Sequence, residues 1–255
     1  MVGYNAMELM ICVAARLLPN GATVGVGTGA PCAAVMLAQK THAPQLFIMF
    51  EAGGLAPQLP SMPISVGDSR TFHRAIMATS MNDILDACQR GMVDYAFLGG
   101  AQIDAHGNLN STVIGDYLKP KVRFPGSGGA NDFASFCWRT MVMTAHDPRR
   151  FVEKLDFLTT PGYLTGPGAR EAAGLPAGTG PYKVITDLAV MGFDDETKRM
   201  QVESLHPGVT LEQVQENTAF EMSKAAAVGE TEPPRSEELR MLREEVDPYR
   251  YVIGR

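Results

Sequence analysis

A chain of 255 residues with 45% apolar and 20% charged side chains can bury a sizeable core and is too apolar to stay disordered. Its formal net charge of -6 argues against nucleic acid as a main partner, and no apolar run approaches the roughly 18 residues a membrane span needs. Four scattered cysteines (Cys12, Cys32, Cys88, Cys137) with no C-x-x-C pair suit a reduced cytoplasm and argue against a disulfide scaffold or a cysteine-rich zinc site.

The start, Met1-Val2-Gly3-Tyr4-Asn5, lacks a basic region followed by an apolar core, so no secretory leader is expected. Apolar spacing over 6–18 predicts a helix capped by Asn5, with Glu8 at its third position and Pro19-Asn20-Gly21 as its stop. A short strand over 22–26 runs into Gly27-Thr28-Gly29-Ala30-Pro31 and then a small-residue helix, 32–39. Such a turn holds an anion at a helix N-terminus. It has neither the full dinucleotide fingerprint nor the lysine of a nucleotide P-loop. The next strand, 46–50, ends at Glu51-Ala52-Gly53-Gly54. This rhythm predicts an α/β unit with parallel strands and with ligands at the strand carboxyl ends. A carboxylate fixed by a buried strand, beside glycines that admit a ligand and aim N–H groups at an oxyanion, suits a nucleophile or base. A solvated Glu51 before a glycine turn has the same spacing, and the residues alone leave both readings open.

Residues 55–72 read as a proline-rich loop, followed by a short helical stretch from about His73 and a helix over 81–90 with Asn82 or Asp83 near its cap. A strand over 94–98 precedes Gly99-Gly100, a turn at 106–108 and a hairpin strand over 110–116. The densest glycine run, Pro125-Gly126-Ser127-Gly128-Gly129-Ala130-Asn131-Asp132, opens a helix over 130–137 and offers three backbone N–H groups to a ligand. Beyond it come a strand at 140–144, a strand or helix around 151–158, and strands at 182–186, 189–193 and 200–205. Thr210, boxed with Gln213, caps a helix over 211–216. A charged helix over 236–246 is expected on the outside or against a partner. The expected fold class is α/β: an open, mostly parallel sheet with flanking helices and additional β-hairpins. One domain is expected over 1–255, with a mainly helical C-terminal segment, 210–255.

His73, His106, His146 and His206 stand apart, and no close His/Asp/Glu cluster appears, so no metal is expected. Ser65 and Ser127 lie outside any G-x-S-x-G elbow, which leaves a hydrolase triad unsupported. Cys32, at a helix start, is open to a reactive-thiol reading, with core packing as the alternative.

Seven stretches coincide with one family: VGVGTGAP (24–31), the strand leading to EAGG (51–54), PISVGDSR (63–70), FLGGAQIDAHGNLNSTVIGDY (97–117), KVRFPGSGGAND (121–132), RRFVEKLDFLTTPGY (149–163) and GLPAGTGP (174–181). In these the chain resembles the B (β) subunits of family I CoA-transferases, first the glutaconate type and next the 3-oxoadipate type. The resemblance implies that Glu51 is the catalytic carboxylate, passing through an acyl-glutamyl anhydride and a glutamyl-CoA thioester. It implies that Gly27, Gly29, Gly53, Gly54, Gly126, Gly128 and Gly129 line the coenzyme A and active-site cleft. Coenzyme A enters as a thioester substrate, with no permanently bound cofactor. A CoA-transferase A (α) subunit is implied as obligate partner, in a higher heteromer of αβ units, with a short dicarboxylic acid as acceptor. Ala52 departs from the family's Ser or Asn at the second position of the turn, which removes one side-chain hydrogen bond beside the nucleophile. Arg70, Lys119, Lys121 and Arg123 are open as partners of phosphates or a distal carboxylate, and equally as surface charges. Relatives on this scaffold hydrolyse or decarboxylate an acyl-CoA, so those reactions stand as alternatives, as does a non-catalytic subunit.

Overall fold

Asn5 starts the first helix as its spacing predicts. Its Oδ1 accepts the Glu8 N–H at 2.9 Å while Glu8 Oε2 accepts the Asn5 N–H at 3.0 Å, and the box opens α1, Ala6–Arg16. The computed structural model describes residues 3–254, so the part of the leader reading that falls on Met1 and Val2 lies outside the described residues. The described residues form two units, one running to Phe97 and resuming at Glu232, the other spanning Leu98–Thr231.

In the first unit α1 is followed by β1 (Thr23–Val26), α2 (Ala30–Lys40), β2 (Phe47–Phe50), β3 (Gly54–Leu55), β4 (Met77–Ala78), α3 (Met81–Gln89) and β5 (Tyr95–Leu98). The strands lie in the order β5-β1-β2-β3-β4. β1 runs parallel to both β2 and β5, whereas β3 and β4 return antiparallel. Val24, Ile48, Phe50 and Ala96 are fully buried, which is why the parallel strands read as unbroken apolar runs. α1 packs on α2, whose Ala33, Ala34 and Ala38 are fully buried, so the two helices approach closely.

Two expectations in this unit need correction. The helical turn lies at Ser69–Phe72 and ends before His73, because the Asp68 carboxylate accepts the Arg70 N–H and caps it. The cap of α3 is Ser80: its Oγ accepts from Asp83 N–H at 3.3 Å, and Asp83 answers as the third residue of the box.

The second unit carries β6 (Gln102–Ile103), β7 (Leu109–Asn110), β8 (Val113–Gly115), β9 (Pro120–Arg123), α4 (Ala130–Phe136), β10 (Arg139–Met143), α5 (Ala169–Ala172), β11 (Pro181–Ile185), β12 (Ala189–Phe193), β13 (Met200–Leu205), α6 (Leu211–Glu216) and β14 (Ser223–Glu230). β10 and β11 pair in parallel, β11-β12-β13 form an antiparallel meander, and β13 pairs in parallel with β14 across α6. β6-β7 and β8-β9 are separate hairpins, so the single strand expected over 110–116 is divided. Asn110 divides it, accepting on Oδ1 the N–H groups of Thr112 and Val113 and so turning the chain. The stretch 151–158 forms neither helix nor strand, only a bridge from Phe151 to Ile103.

The C-terminal segment holds α6, β14, α7 (Ser236–Met241) and a π turn, Leu242–Val246. This last helical stretch is not an external appendage. Leu239, Leu242 and Val246 are buried, and two bidentate ion pairs anchor the stretch to α1. Arg16 grips Glu238 at 2.8 and 2.6 Å, and Arg243 grips Glu8 at 2.6 and 2.8 Å. Burial pushes the Glu8 carboxyl up, but the Arg243 guanidinium and the Asn5 N–H outweigh it and hold the group below the usual range. The α/β class with flanking helices and added hairpins is as expected, with sheets of mixed direction.

Candidate active site

Glu51 sits where β2 reverses. The Gly53 N–H donates to Phe50 O at 2.9 Å, closing a turn with Glu51 and Ala52 at its centre. The chain then returns as β3, with Leu55 opposite Met49, and Ala56 N–H donates to Ile48 O at 2.7 Å. The buried strand fixes the backbone of Glu51, and the side chain is half-buried. Val26 of β1 and Phe50 of β2 are register partners, so Gly27 and Glu51 are the next residues on two neighbouring parallel strands. Gly27 and the turn bearing Glu51 therefore lie together at the carboxyl end of the parallel strands, the end where ligands are expected.

The glycines of this end serve two purposes. Gly53 has φ +109°, and a Cβ there would lie 1.9 Å from Thr79 O. A Cβ on Gly54 would lie 2.0 Å from Thr71 O. Both glycines let neighbouring backbone close over the hairpin. Around a Cβ placed on Gly27 or Gly29 there is no protein atom within 4 Å. Gly29 is the N-cap of α2, with no side chain capping that helix. Space beside these two positions can admit a ligand.

Gly126, Gly128 and Gly129 belong to the second unit. Their loop offers fewer amide donors than its sequence suggests. Gly126 N–H donates to Ser111 O, Ala130 N–H to Ser127 O, and Asn131 N–H to Ser127 Oγ. Gly129 is buried at the cap of α4, and Gly128 is exposed. A cleft of about 860 Å³ opens beside Gly126, within this unit. Gly99, Gly100 and Ala101 form one rim, Ile114, Phe124, Pro125 and Val152 supply apolar wall, and Asp147, Arg149 and Arg150 supply charge. Sequence reading did not single out these two arginines as lining a cleft. The pair is visible, but Arg150 reaches Gly100 O across 50 residues, and no local pattern signals that closure.

The basic residues singled out by sequence are differently placed. Arg70 is held by Asp68 at 2.5 and 3.0 Å and by Ser61 at 3.2 Å, and its hydrogen bonds keep the Asp68 carboxyl far below the usual range. Arg123 donates to Tyr117 O at 2.6 Å and lies over the Tyr117 ring. Lys119 and Lys121 are exposed along the β8-β9 hairpin.

Cys32 is fully buried, and burial pushes its thiol up to about 12, so it is a core residue and not an activated nucleophile. His206 is buried between Thr231 Oγ1 and Thr186 O, and His146 between Thr186 Oγ1 and Thr218 Oγ1. Both imidazoles belong to packing networks. Among the described residues no group of three or more His, Cys, Asp or Glu side chains is placed to hold a metal ion. No helix among them is long and apolar enough to cross a membrane.

The sequence profile of the Coenzyme A transferase family matches residues 8–217. The β (B-type) chain of glutaconate CoA-transferase from Acidaminococcus fermentans is 40% identical over 253 residues, covering 96% of this chain and 93% of the relative. The corresponding β chain of 3-oxoadipate CoA-transferase from Pseudomonas knackmussii is 41% identical over 244 residues, covering 95% and 94%. The crystal structure of glutaconate coenzyme A-transferase from Acidaminococcus fermentans superposes with a TM-score of 0.94 at 38% identity, over 99% of this chain and 98% of that one. Full-length similarity at this level, on a fold that sets Glu51 and Gly27 side by side, makes the chain a member of the family I coenzyme A transferases, of the β-subunit type.

Proposed function

We propose that the chain transfers coenzyme A between an acyl-CoA and a free dicarboxylic acid, glutaconate-like, through a glutamyl-CoA thioester on Glu51. The observation that carries this reading is the placement of Glu51 in a tight turn at the carboxyl end of β2, beside the open space at Gly27. The Glu51 carboxylate attacks the thioester carbonyl, the C–S bond breaks, and CoA thiolate leaves an acyl-glutamyl anhydride. The thiolate then attacks the glutamyl carbonyl, and the donor acid departs as a carboxylate. The acceptor carboxylate repeats the steps in reverse on the glutamyl-CoA thioester. Every electron pair is conserved, and no metal or resident cofactor takes part.

In this reading Gly27 and Gly29 face the thioester, Gly53 and Gly54 hold the hairpin rigid, and Gly126, Gly128 and Gly129 line the coenzyme's path. Residues 1–255 act as one CoA-transferase domain. An α subunit completes the site in a heteromer of αβ units and keeps water from the anhydride. Two observations support that partner. The relatives are each the B subunit of their enzyme, and this chain matches them over almost their whole length. On the Glu51-bearing unit, Ile64, Ile76, Met77 and Met81 are about half or more exposed, at 68%, 78%, 52% and 48%.

The test is mass spectrometry of the αβ complex mixed with acyl-CoA and then borohydride, which reduces a glutamyl-CoA thioester to an alcohol. A loss of about 14 Da on the Glu51 peptide, as covalent catalysis at that carboxylate requires, supports the relay. Release of free acid or carbon dioxide by an active complex without that mark rejects it in favour of hydrolysis or decarboxylation.

A further inference from the structure

We infer that β14 is a self-association edge, pairing antiparallel with β14 of a second copy of this chain about a two-fold axis at Ala227. Two αβ units then join through their β chains. The inference goes beyond the proposed reaction and takes from it only the α subunit that each copy carries.

β14 ends the strand order and is paired on one side alone, to β13. β13 grips only its two ends. Ser223 and Lys224 are register partners of Gln201 and Val202, and Gly229 and Glu230 of Ser204 and Leu205. Between those ends Ala225-Ala226-Ala227-Val228 has no register partner on β13 and stays extended. These four residues carry neither proline nor charge, two of the devices that keep sheet edges apart. Ser223, Lys224, Ala226, Ala227, Gly229 and Glu230 are exposed, so the edge can be reached. Its backbone N–H and C=O groups can be taken up by an added strand.

Charge selects a second copy as the occupant. Laid antiparallel on itself about Ala227, the strand sets Lys224 opposite the copy's Glu230, and the symmetry repeats the pair at the other end. Ala225 then faces Gly229 and Ala226 faces Val228, so no large side chain obstructs the centre. Lys224 and Glu230 make no ion pair among the described residues. Glu212 and Glu216 of α6 line a cavity of about 370 Å³ together with Lys224, without pairing to it. Opposite charges directly across antiparallel strands attract, and like charges repel. A shift of one residue in either direction sets Lys224 against Gly229 or Thr231 and loses both pairs. The contact is isologous, so it closes at two units and does not propagate into a filament.

The experiment is sedimentation equilibrium of the αβ complex over a concentration series, with variants in the β chain. Wild type is expected to associate into a pair of αβ units. Lys224→Glu and Glu230→Lys each set like charges opposite twice, and each is expected to weaken association roughly tenfold or more. The double variant Lys224→Glu, Glu230→Lys restores opposite charges and is expected to return to within roughly threefold of wild type. N–H groups alternate in direction along a strand, so either Ala226 or Ala227 donates across the axis. One of Ala226→Pro and Ala227→Pro is therefore expected to abolish association, with Tm kept because neither residue has a register partner on β13. A wild-type complex that does not associate overturns the inference, as does association indifferent to every variant. Loss in the single reversals without recovery in the double one overturns it by denying the Lys224 to Glu230 pairing. Loss of the α subunit in the proline variants overturns it by giving the edge to that subunit. Association is read without any chemistry. A complex that associates through β14 but forms no glutamyl-CoA thioester retains the edge and rejects the proposed reaction, and active complexes that ignore the β14 variants do the reverse.

Discussion

Gly53 and Thr79 meet backbone to backbone: Thr79 N–H donates to Gly53 O at 2.9 Å, and a Cβ on Gly53 would stand 1.9 Å from Thr79 O. The hairpin that carries Glu51 is thereby clamped from the β4 side. Gly53→Ala adds both a clash and a left-handed strain, together about 3 kcal/mol. Thermal denaturation is expected to show a Tm loss of roughly 5–10 °C for a chain of this size. Gly27→Ala is the contrasting variant. Its Cβ meets no protein atom within 4 Å, so Tm stays at the wild-type value while transfer falls.

Glu51→Gln removes the proposed nucleophile and leaves the hairpin's backbone bonds in place. Transfer in the αβ complex is expected to fall roughly a thousandfold or more, as when a covalent nucleophile is lost. Circular dichroism and Tm of the variant should match wild type. Residual activity within tenfold of wild type rules out Glu51 as the covalent carrier.

Arg170 is a buried guanidinium without a carboxylate partner among the described residues. Nη1 donates to Pro161 O and Gly162 O at 3.3 and 2.8 Å, and Nη2 to Ala134 O, Ser135 O and Thr179 Oγ1 at 3.1, 3.1 and 2.8 Å. Burial pushes its pKa down, yet the charge is spread over carbonyl dipoles that would otherwise stand unsatisfied. Arg170→Met is expected to cost about 3 kcal/mol in urea unfolding, and Arg170→Lys to recover less than half, because an ammonium cannot span five acceptors.

His146 makes stability fall in acid. Burial pushes its imidazole down to about 4 from the ordinary 6.5. Between those values the unfolded chain binds a proton that the folded chain does not, so stability is present above pH 6.5 and is lost as pH falls towards 4. The gap is worth on the order of 3 kcal/mol. Urea unfolding at pH 7 and pH 4.5 should show a smaller acid loss for His146→Gln than for wild type. Equal losses would remove His146 as the cause.

What was legible in the sequence was legible for local reasons. The Asn5-Glu8 and Thr210-Gln213 boxes fixed two helix starts because a capping box is complete within four residues. The strand into Glu51 was visible because parallel strands buried on both faces read as continuous apolar runs. β14 was invisible for the opposite reason. Ser223–Glu230 is largely exposed and rich in alanine, and only pairing with β13 makes it a strand.

By itself, then, the sequence determined the α/β class and the family and singled out Glu51 as the candidate carboxylate, because each is written in residues near one another in the chain. Tertiary structure alone decided which glycines clamp and which open, since that depends on Thr71 and Thr79 closing over the hairpin. It alone brought Arg149 and Arg150 to the Gly99-Gly100 rim and made the C-terminal helix part of the first unit through Arg16 and Arg243. Long-range closure of this kind depends on the packing of distant backbone and leaves no period, cap or motif in the local sequence.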